Sequence, residues 1–256
     1  MTLLKRYKEL VQVVIAIVIT FSFLVGCLAT SSYSRDEAVQ VWKNSEVLWV
    51  DDKSGNLVFG RIEQPHIQEF FASLNLQPPV PTLVYLHGCS GPSSPNFRFW
   101  KLLSRRYGLV IISPNTFART KWQELCGRQT RAHYATRISD TSYITKQLLK
   151  MPWVDRGNLI LAGHSEGGRV VAIYPGDEYS VRLISGDSCD DYKGLRSHYP
   201  TDRTLVLAST KDKYAGRYAC RDSKNRFIVE SAMHGMFQLP EVKRAIIGFL
   251  DEQIIR

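Results

Sequence analysis

One serine stands in a sequence context that is suited to nucleophilic attack on a carbonyl. Ser165 lies in a Gly-x-Ser-x-Gly motif, residues 163–167, which directly follows the apolar run 159–162. Glycines on both sides of the serine allow a tight strand-to-helix turn that exposes the hydroxyl at the start of a helix. The alternative is a turn serine that only caps the helix. The strand before the motif and the helix after it favour the nucleophile.

A histidine near the end of the chain is suited to act as the base. A serine hydroxyl is a poor nucleophile until a base takes its proton. His234 stands in the loop after the last strand-like run, residues 226–230, where we expect the base. The remaining histidines are His66, His87, His133, His164 and His198. His87 and His164 lie inside motif loops, where we expect packing or substrate contact from them and no proton transfer.

The imidazole needs a carboxylate that orients it and stabilises its charged form. Asp212 follows the strand-like run 204–208, the run before that of the histidine, and we expect the acid there. Asp187, after the preceding run, is the main competitor. The weaker candidates are Asp190, Asp191 and Asp202. Asp212 completes the chain order serine, acid, histidine.

The oxyanion that forms during attack needs backbone N–H donors. We expect one donor to be the amide of Glu166, the residue after the serine. The other is expected in the loop after the strand-like run 82–86, where His87-Gly88-Cys89 resembles the His-Gly oxyanion loop of α/β-hydrolases. By position that donor is the amide of Cys89. His87 is a candidate substrate-binding residue.

The apolar pattern predicts the elements that position these residues. Buried-type runs occur at residues 82–86, 109–113, 158–162, 181–185, 204–208 and 226–230, and helical patterns occur between them and after them. Such repeated βα units predict an α/β fold with a mainly parallel, doubly wound sheet. Two short runs, residues 47–50 and 57–59, are joined by a turn and predict an antiparallel N-terminal hairpin.

Together, the His87-Gly88-Cys89 loop, the 163–167 motif, Asp212 and His234 resemble the dienelactone-hydrolase-like branch of the α/β-hydrolase superfamily. The resemblance covers residues 45–256. It implies a single α/β-hydrolase domain that cleaves a small-molecule or acyl ester through an acyl-enzyme, without a metal or organic cofactor. Dienelactone hydrolases use cysteine where this chain has Ser165, so the lactone substrate does not carry over. The branch also includes esterases and peptidase-like enzymes.

Other functional classes stay open beside this hydrolase. The fold is also compatible with a noncatalytic binding module, with an envelope structural protein, and with an acyltransferase that uses the same acyl-enzyme. The sequence does not show whether Ser165, His234 and Asp212 meet in space. A labelling reagent for activated serines would separate the enzymatic classes from the others.

The N-terminus is typical of an export signal. Lys5, Arg6 and Lys8 precede a nearly uninterrupted apolar run over residues 10–26. The run ends in Leu-Val-Gly directly before Cys27, which resembles the lipobox of bacterial lipoprotein precursors. In such precursors this cysteine is acylated, with palmitate as a typical chain, and becomes the first residue of the mature protein.

These features predict the domain organisation and the location. Residues 1–26 are expected to be a lipoprotein-type signal peptide, residues 27–44 a tether, and residues 45–256 the hydrolase domain. The alternative for the first segment is an uncleaved membrane helix. In either case we expect an exported protein of the cell envelope that is anchored in a membrane and faces the periplasm or exterior.

The basic charge does not point to a nucleic-acid partner. The chain has a formal net charge of +9, but the basic residues are dispersed and no nucleic-acid-binding motif surrounds them. We expect a solvated basic surface, and no nucleic acid among the partners.

The remaining cysteines form an even set of four in a chain expected to reach an oxidising compartment. They are Cys89, Cys126, Cys189 and Cys220. Of the three possible connectivities we favour Cys89–Cys126 and Cys189–Cys220, because each pair would join loops on the side of the sheet where the site should lie. No close Cys-x-x-Cys pair is present, which disfavours zinc.

A Cys89–Cys126 disulfide would bring the segment after Cys126 to the edge of the site. Arg128 and Arg131 in and after this segment then become candidate substrate contacts. Arginines in a charged loop more commonly face water.

Overall fold

The β-strands form one mainly parallel sheet. This computed structural model describes residues 34–92, 97–120, 130–190, 194–215 and 219–254. The strands are β1 (Glu46–Val50), β2 (Leu57–Arg61), β3 (Val80–Leu86), β4 (Val110–Ser113), β5 (Val154–His164), β6 (Val181–Ser185), β7 (Thr204–Ser209) and β8 (Asn225–Val229). Their order is β2-β1-β4-β3-β5-β6-β7-β8. Strand β1 pairs antiparallel with β2 and β4, and the other neighbours are parallel. The predicted α/β fold and its antiparallel N-terminal hairpin are confirmed.

Helices cover both faces of the sheet. The described helices are α1 (Arg35–Lys43), α2 (Pro65–Leu74), α3 (Phe97–Tyr107), α4 (Arg131–Leu148), α5 (Glu166–Ile173) and α6 (Pro240–Gln253). Side chains of β3 alternate between two apolar clusters. Val84 belongs to the cluster that includes residues of α1, α2, α4 and α5, and Leu83 belongs to the one that includes residues of α3 and α6. Both faces of the strand are therefore buried, as its continuous apolar run predicts.

The parallel strands end at one edge of the sheet, and this edge collects the predicted site residues. Strand register pairs Leu86 with Gly163, His164 with Ser185, and Ser209 with Val229. The loops that follow β3, β5, β6, β7 and β8 therefore start side by side. In open α/β sheets this carboxyl edge is where ligand sites form.

The structure corrects the last part of the predicted tether of residues 27–44, whereas residues 27–33 lie outside the described residues. Residues 35–43 form helix α1, in which Ala38 and Val41 are buried. Glu37 pairs with Arg119, a buried residue whose guanidinium also binds the carboxylate of Asp140. The folded unit thus begins at residue 35 and not at residue 45. The segment is short and polar and has no sustained apolar period. Its helix therefore depends on these tertiary contacts.

Helix α2 was not predicted either. Pro65 occupies its first turn, and Ile67, Phe70, Phe71 and Leu74 face the core at helical spacing. The aromatic ring of Phe71 stacks on that of Trp153 with centroids 5.1 Å apart. The signal was present in the sequence as an i, i+3, i+4, i+7 apolar pattern after a proline.

The predicted N-terminal signal and the acylation site at Cys27 lie outside the described residues, and both stay predictions. Within residues 34–92, 97–120, 130–190, 194–215 and 219–254, no helix has the length and apolarity needed to cross a membrane.

A disulfide joins Cys189 to Cys220, as predicted, with the two Cα atoms 4.8 Å apart. It links the loop after β6 to the segment that precedes β8, so it constrains the region between them, which includes Asp212. The other predicted pairing involves Cys126, which lies outside the described residues, as does Arg128.

Candidate active site

Ser165 occupies a strained turn between strand β5 and helix α5. Its backbone has φ 57° and ψ −121°, a conformation that non-glycine residues rarely adopt. The amide of Ser165 donates a hydrogen bond of 2.8 Å to the carbonyl oxygen of Ser185 at the end of β6. Such strain persists only where the surrounding structure imposes it, and it is common at functional sites. The turn presents the serine hydroxyl at the N-terminus of α5.

The glycines around Ser165 are required by close backbone approach. A Cβ atom on Gly163 would collide with the backbone of Gly167, and one on Gly167 would collide with the carbonyl of Leu86. A Cβ on Gly168 would lie 2.8 Å from the carbonyl oxygen of Ser185. Helix α5 can therefore lie directly against β3 and β6 only because these side chains are absent.

Gly167→Ala is expected to destabilise the fold by about 1–3 kcal/mol, because the added methyl group overpacks a backbone contact that cannot relax cheaply. Circular dichroism, recorded while denaturant unfolds each protein, measures the change in the free energy of unfolding. Gly248→Ala is the matched control, since Gly248 lies in α6 with open space around its Cβ position. That change should stabilise the fold by about 0.5–1 kcal/mol. A loss of stability of equal size in both variants would contradict the argument.

His234 is held by the buried carboxylate of Asp212. Nδ1 of His234 lies 2.7 Å from Oδ2 of Asp212, and Oδ1 accepts a 2.9 Å hydrogen bond from the amide of Tyr214. The Asp212 side chain is 1% exposed and the His234 side chain is 29% exposed. With Nδ1 bound to the carboxylate, Nε2 is the ring nitrogen that can exchange a proton with another group. The structure thus brings the two predicted partners together.

Asp187, the competing acid, is bound elsewhere. Its Oδ2 accepts a 2.9 Å hydrogen bond from Nε of Arg169, and its Oδ1 accepts one of 2.8 Å from the amide of Cys189. Burial raises the pKa of the Asp187 carboxyl, and Arg169 opposes that rise. The geometry therefore assigns Asp212 to His234, and it assigns Asp187 to the Arg169 ion pair.

Two of the weaker acid candidates have backbone contacts elsewhere. The carbonyl oxygen of Asp190 accepts a hydrogen bond from Arg169, and that of Asp202 accepts one from Asn225. Asp191 lies outside the described residues.

Two aromatic rings flank the imidazole of His234. The ring centroids of His164 and Tyr214 lie 4.7 Å and 4.9 Å from that of His234. Burial, together with the nearby His234, lowers the pKa of His164 to about 4, so His164 is neutral at neutral pH. A Cβ on Gly186 would lie 3.0 Å from Cε1 of both imidazoles. Gly186 therefore makes room for the histidine pair.

Ser165 and His234 line the same pocket, which has a volume of about 580 Å³. Its lining residues are Gly88, Cys89, Ser90, His164, Ser165, Glu166, Arg169, Gly186, Asp187, Tyr214 and His234. The loop after β3 approaches the serine closely, since a Cβ on Gly88 would lie 3.7 Å from Oγ of Ser165. Cys89 and Glu166, whose amides are the expected oxyanion donors, both border the pocket beside Ser165.

His87 lies inside the loop after β3, and the structure corrects its expected role as a substrate contact. The residue is 1% exposed and is not among the lining residues of the pocket. Its Nε2 lies 2.8 Å from Oγ1 of Thr116, and burial lowers its pKa to about 3. Neutral His87 thus anchors the loop from behind. Arg131 is exposed and does not line the pocket either.

A buried polar group below the pocket was missed from the sequence. Nε2 of His133 contacts Oε1 of Glu166, and Nη1 of Arg137 lies 3.2 Å from the same oxygen. Burial lowers the pKa of His133. The spacing of His133 and Arg137 shows only that the two residues share a helix face, and it does not show that this face is buried.

Two residues of the pocket wall were also missed. Arg169 stands four residues after Ser165, one turn along α5, and Tyr214 follows Asp212 by two residues. Among the described residues, no group of three or more histidine, cysteine or carboxylate side chains is arranged to bind a metal ion.

Comparison with known proteins bears on the fold. No protein-family model matches the chain, and no curated protein matches it. A candidate dienelactone hydrolase from Klebsiella pneumoniae subsp. pneumoniae MGH 78578 superposes with a TM-score of 0.50 at 13% identity, over 68% of this chain and 87% of that protein. Est1E from Butyrivibrio proteoclasticus gives a TM-score of 0.51 at 15% identity, over 71% and 91% of the two chains.

An acylaminoacyl peptidase from Pyrococcus horikoshii gives a TM-score of 0.53 at 12% identity. The alignment covers 70% of this chain but 38% of that protein, so the chain spans less than two-fifths of the peptidase. At these identities the likeness concerns the path of the backbone. With its sheet order, its Ser165 turn and these structural neighbours, the chain has the α/β-hydrolase fold.

Proposed function

We propose that this protein is a serine hydrolase that cleaves a carboxylic ester through an acyl-enzyme on Ser165. The observation that carries the proposal is the pairing of His234 with the buried carboxylate of Asp212 in the pocket that Ser165 lines. A nucleophile on a strained turn, a base within the same pocket and a carboxylate that orients this base form a recognisable constellation for acyl transfer.

Acylation starts when Nε2 of His234 takes the proton of the Ser165 hydroxyl as Oγ attacks the ester carbonyl carbon. The carbonyl electrons move to oxygen, and the amides of Cys89 and Glu166 stabilise the resulting oxyanion. The intermediate then expels the alcohol oxygen, which receives the proton from His234. Asp212 stabilises the imidazolium between these two steps.

Deacylation repeats the sequence with water. His234 takes a proton from water as the water oxygen attacks the acyl carbon, and the intermediate expels Oγ of Ser165, which recovers that proton. The products are a carboxylic acid and an alcohol, and the enzyme returns to its starting state. An acyltransferase would replace the water by another alcohol, and product analysis with an added alcohol distinguishes the two.

We also propose that the enzyme acts in the cell envelope as a lipid-anchored protein. The basic N-terminus, the apolar run before Cys27 and the small residue next to it support this location. The Cys189–Cys220 disulfide is a second support, because disulfides form and persist in oxidising compartments. A lipid on Cys27 would hold the catalytic domain at a membrane surface.

Labelling with a fluorophosphonate probe tests the proposed chemistry, because the probe modifies an activated serine and spares an inert one. We expect a single adduct that mass spectrometry places on Ser165. His234→Ala should abolish the adduct, whereas His198→Ala, which changes an exposed histidine that does not line the pocket, should keep it. A folded protein that stays unlabelled would instead be a noncatalytic binding module.

The same labelled sample tests the anchor. After detergent phase separation of cells that express the full chain, the labelled protein should enter the detergent phase. Intact mass spectrometry of the protein in the detergent phase identifies the anchor. We expect a mature chain that begins at an acylated Cys27, whereas an unacylated chain that retains residues 1–26 would favour an uncleaved membrane helix.

A further inference from the structure

Arg137 contacts both segments that carry the proposed oxyanion donors. It lies on helix α4 with a side chain that is 2% exposed. Its Nη2 donates a 2.6 Å hydrogen bond to the carbonyl oxygen of His87, two residues before Cys89. Its Nη1 lies 3.2 Å from Oε1 of Glu166, the residue whose amide is the second donor. One planar guanidinium thus spans the loop after β3 and the turn after β5.

The carboxylate of Glu166 completes this bridge. Its Oε2 lies 2.8 Å from Sγ of Cys89, and its Oε1 also contacts Nε2 of His133. The Glu166 side chain is 2% exposed, although it directly follows the nucleophile. It therefore points away from the pocket opening, into the contact between the loop after β3 and helix α4.

Stability alone does not account for a buried ion pair at this place. Removing two charges from water is costly, and well-packed apolar side chains of similar volume would stabilise the contact as well or better. A planar guanidinium, in contrast, constrains both distance and orientation through fixed donors. The geometric constraint is what Arg137 adds.

We infer that Arg137 is a positioning residue that sets the separation of the Cys89 and Glu166 amides and so preorganises the oxyanion site. The inference rests on the proposed function, and it gives a reason why the residue after the nucleophile is a buried glutamate. Donors aimed at a developing charge are effective only if they do not have to move during the reaction. Arg137 itself touches neither substrate nor the reacting atoms.

Arg137→Met is the direct test, since methionine fills a similar volume without the two donors. We expect kcat for p-nitrophenyl acetate to fall about 10- to 100-fold at a nearly unchanged KM, as for other small displacements of oxyanion donors. The inhibition constant of a trifluoromethyl ketone, which forms an oxyanion when Ser165 adds to it, should rise in parallel with the loss of kcat/KM. A purely structural residue would not produce this parallel change.

Two further variants keep the test decisive if Arg137→Met folds poorly. Arg137→Lys keeps the charge but reaches only one of the two acceptors, so most of the kcat loss should remain. Glu166→Gln keeps the backbone amide and the shape of the side chain but removes the charge, and it should show the same rise in the inhibition constant. Thermal unfolding of each variant establishes that the comparison concerns folded protein.

Arg182→Met is the matched control. Arg182 is also a buried arginine that donates to backbone carbonyls, those of Val171 and Tyr174, but it lies near the start of β6, away from the pocket. It should lose stability and keep kcat and the inhibition constant. If the folded Arg137 variants match the wild type in both quantities, the positioning role is overturned while ester hydrolysis stands. A wild-type protein that neither hydrolyses the ester nor binds the ketone overturns the proposed function and the inference with it.

Discussion

Ser165→Ala is expected to lower kcat for a short p-nitrophenyl ester by about 10⁶-fold, to the level that binding and the oxyanion site supply without a nucleophile. The change removes only Oγ. Alanine keeps the Cβ atom, so the strain of the positive φ at this position is the same in both proteins. The hydrogen bond from the amide of residue 165 to Ser185 is also retained. The folded structure should therefore survive.

Stopped-flow release of p-nitrophenol measures both the acylation burst and the steady state. Ser165→Ala should lose both phases, and its thermal unfolding midpoint should stay close to that of the wild type. Ser90→Ala is the control within the same pocket, because Ser90 lines it without standing on the turn after β5. It should retain most of its turnover. Undiminished hydrolysis by Ser165→Ala would assign the nucleophile to another residue.

Asp212→Asn is expected to lower kcat by about 10⁴-fold while the site keeps its shape. Asparagine is nearly isosteric, but its neutral amide does not stabilise the imidazolium and does not hold the proton on Nδ1. The buried position of Asp212 makes the effect large, because little water is available there to replace the lost charge. The loss should appear in kcat and leave KM nearly unchanged.

Asp187→Asn distinguishes the two acids, since the sequence places both after neighbouring strands. It removes the charge that pairs with the largely buried guanidinium of Arg169, so we expect a lower unfolding midpoint. The Nδ1–Oδ2 contact between His234 and Asp212 stays intact in this variant, and kcat should fall far less than in Asp212→Asn. If Asp187→Asn shows the larger kcat loss at equal folding, Asp187 is the working acid and the roles must be exchanged.

Much of the fold could be predicted because its signals are local. Strands β3, β5 and β7 contain apolar runs at residues 83–86, 159–162 and 205–208, which are typical of parallel strands buried on both faces. The signal of the Gly-x-Ser-x-Gly turn is also local. Its glycines are required because the backbone approaches closely within the turn and at the adjacent strand. Helix α1 could not be predicted in the same way, because its stability comes from contacts with distant residues such as Arg119.

The sequence by itself determined where the strands end along the chain. The loops after two of these strands contain Ser165, the candidate nucleophile, and His234, the candidate base. The sequence favoured Asp212 as the acid but kept Asp187 as a competitor, because each follows a buried parallel strand. The tertiary structure excluded the competitor, because the partner of each acid depends on where neighbouring loops turn in space. Arg169 lies beside Asp187 and pairs with it, while His234 reaches Asp212.

The buried contact between Arg137 and Glu166 is another feature that only the tertiary structure decided. Nothing in the sequence distinguishes the charges of Arg137 and Glu166 from those of surface residues. A helix with a histidine and an arginine four residues apart, such as His133 and Arg137, usually exposes both to water. Burial converts them into a constraint, since a charge removed from water must meet its partners at close range. The sequence therefore specifies which groups are available for the chemistry of Ser165, whereas packing specifies which of them meet.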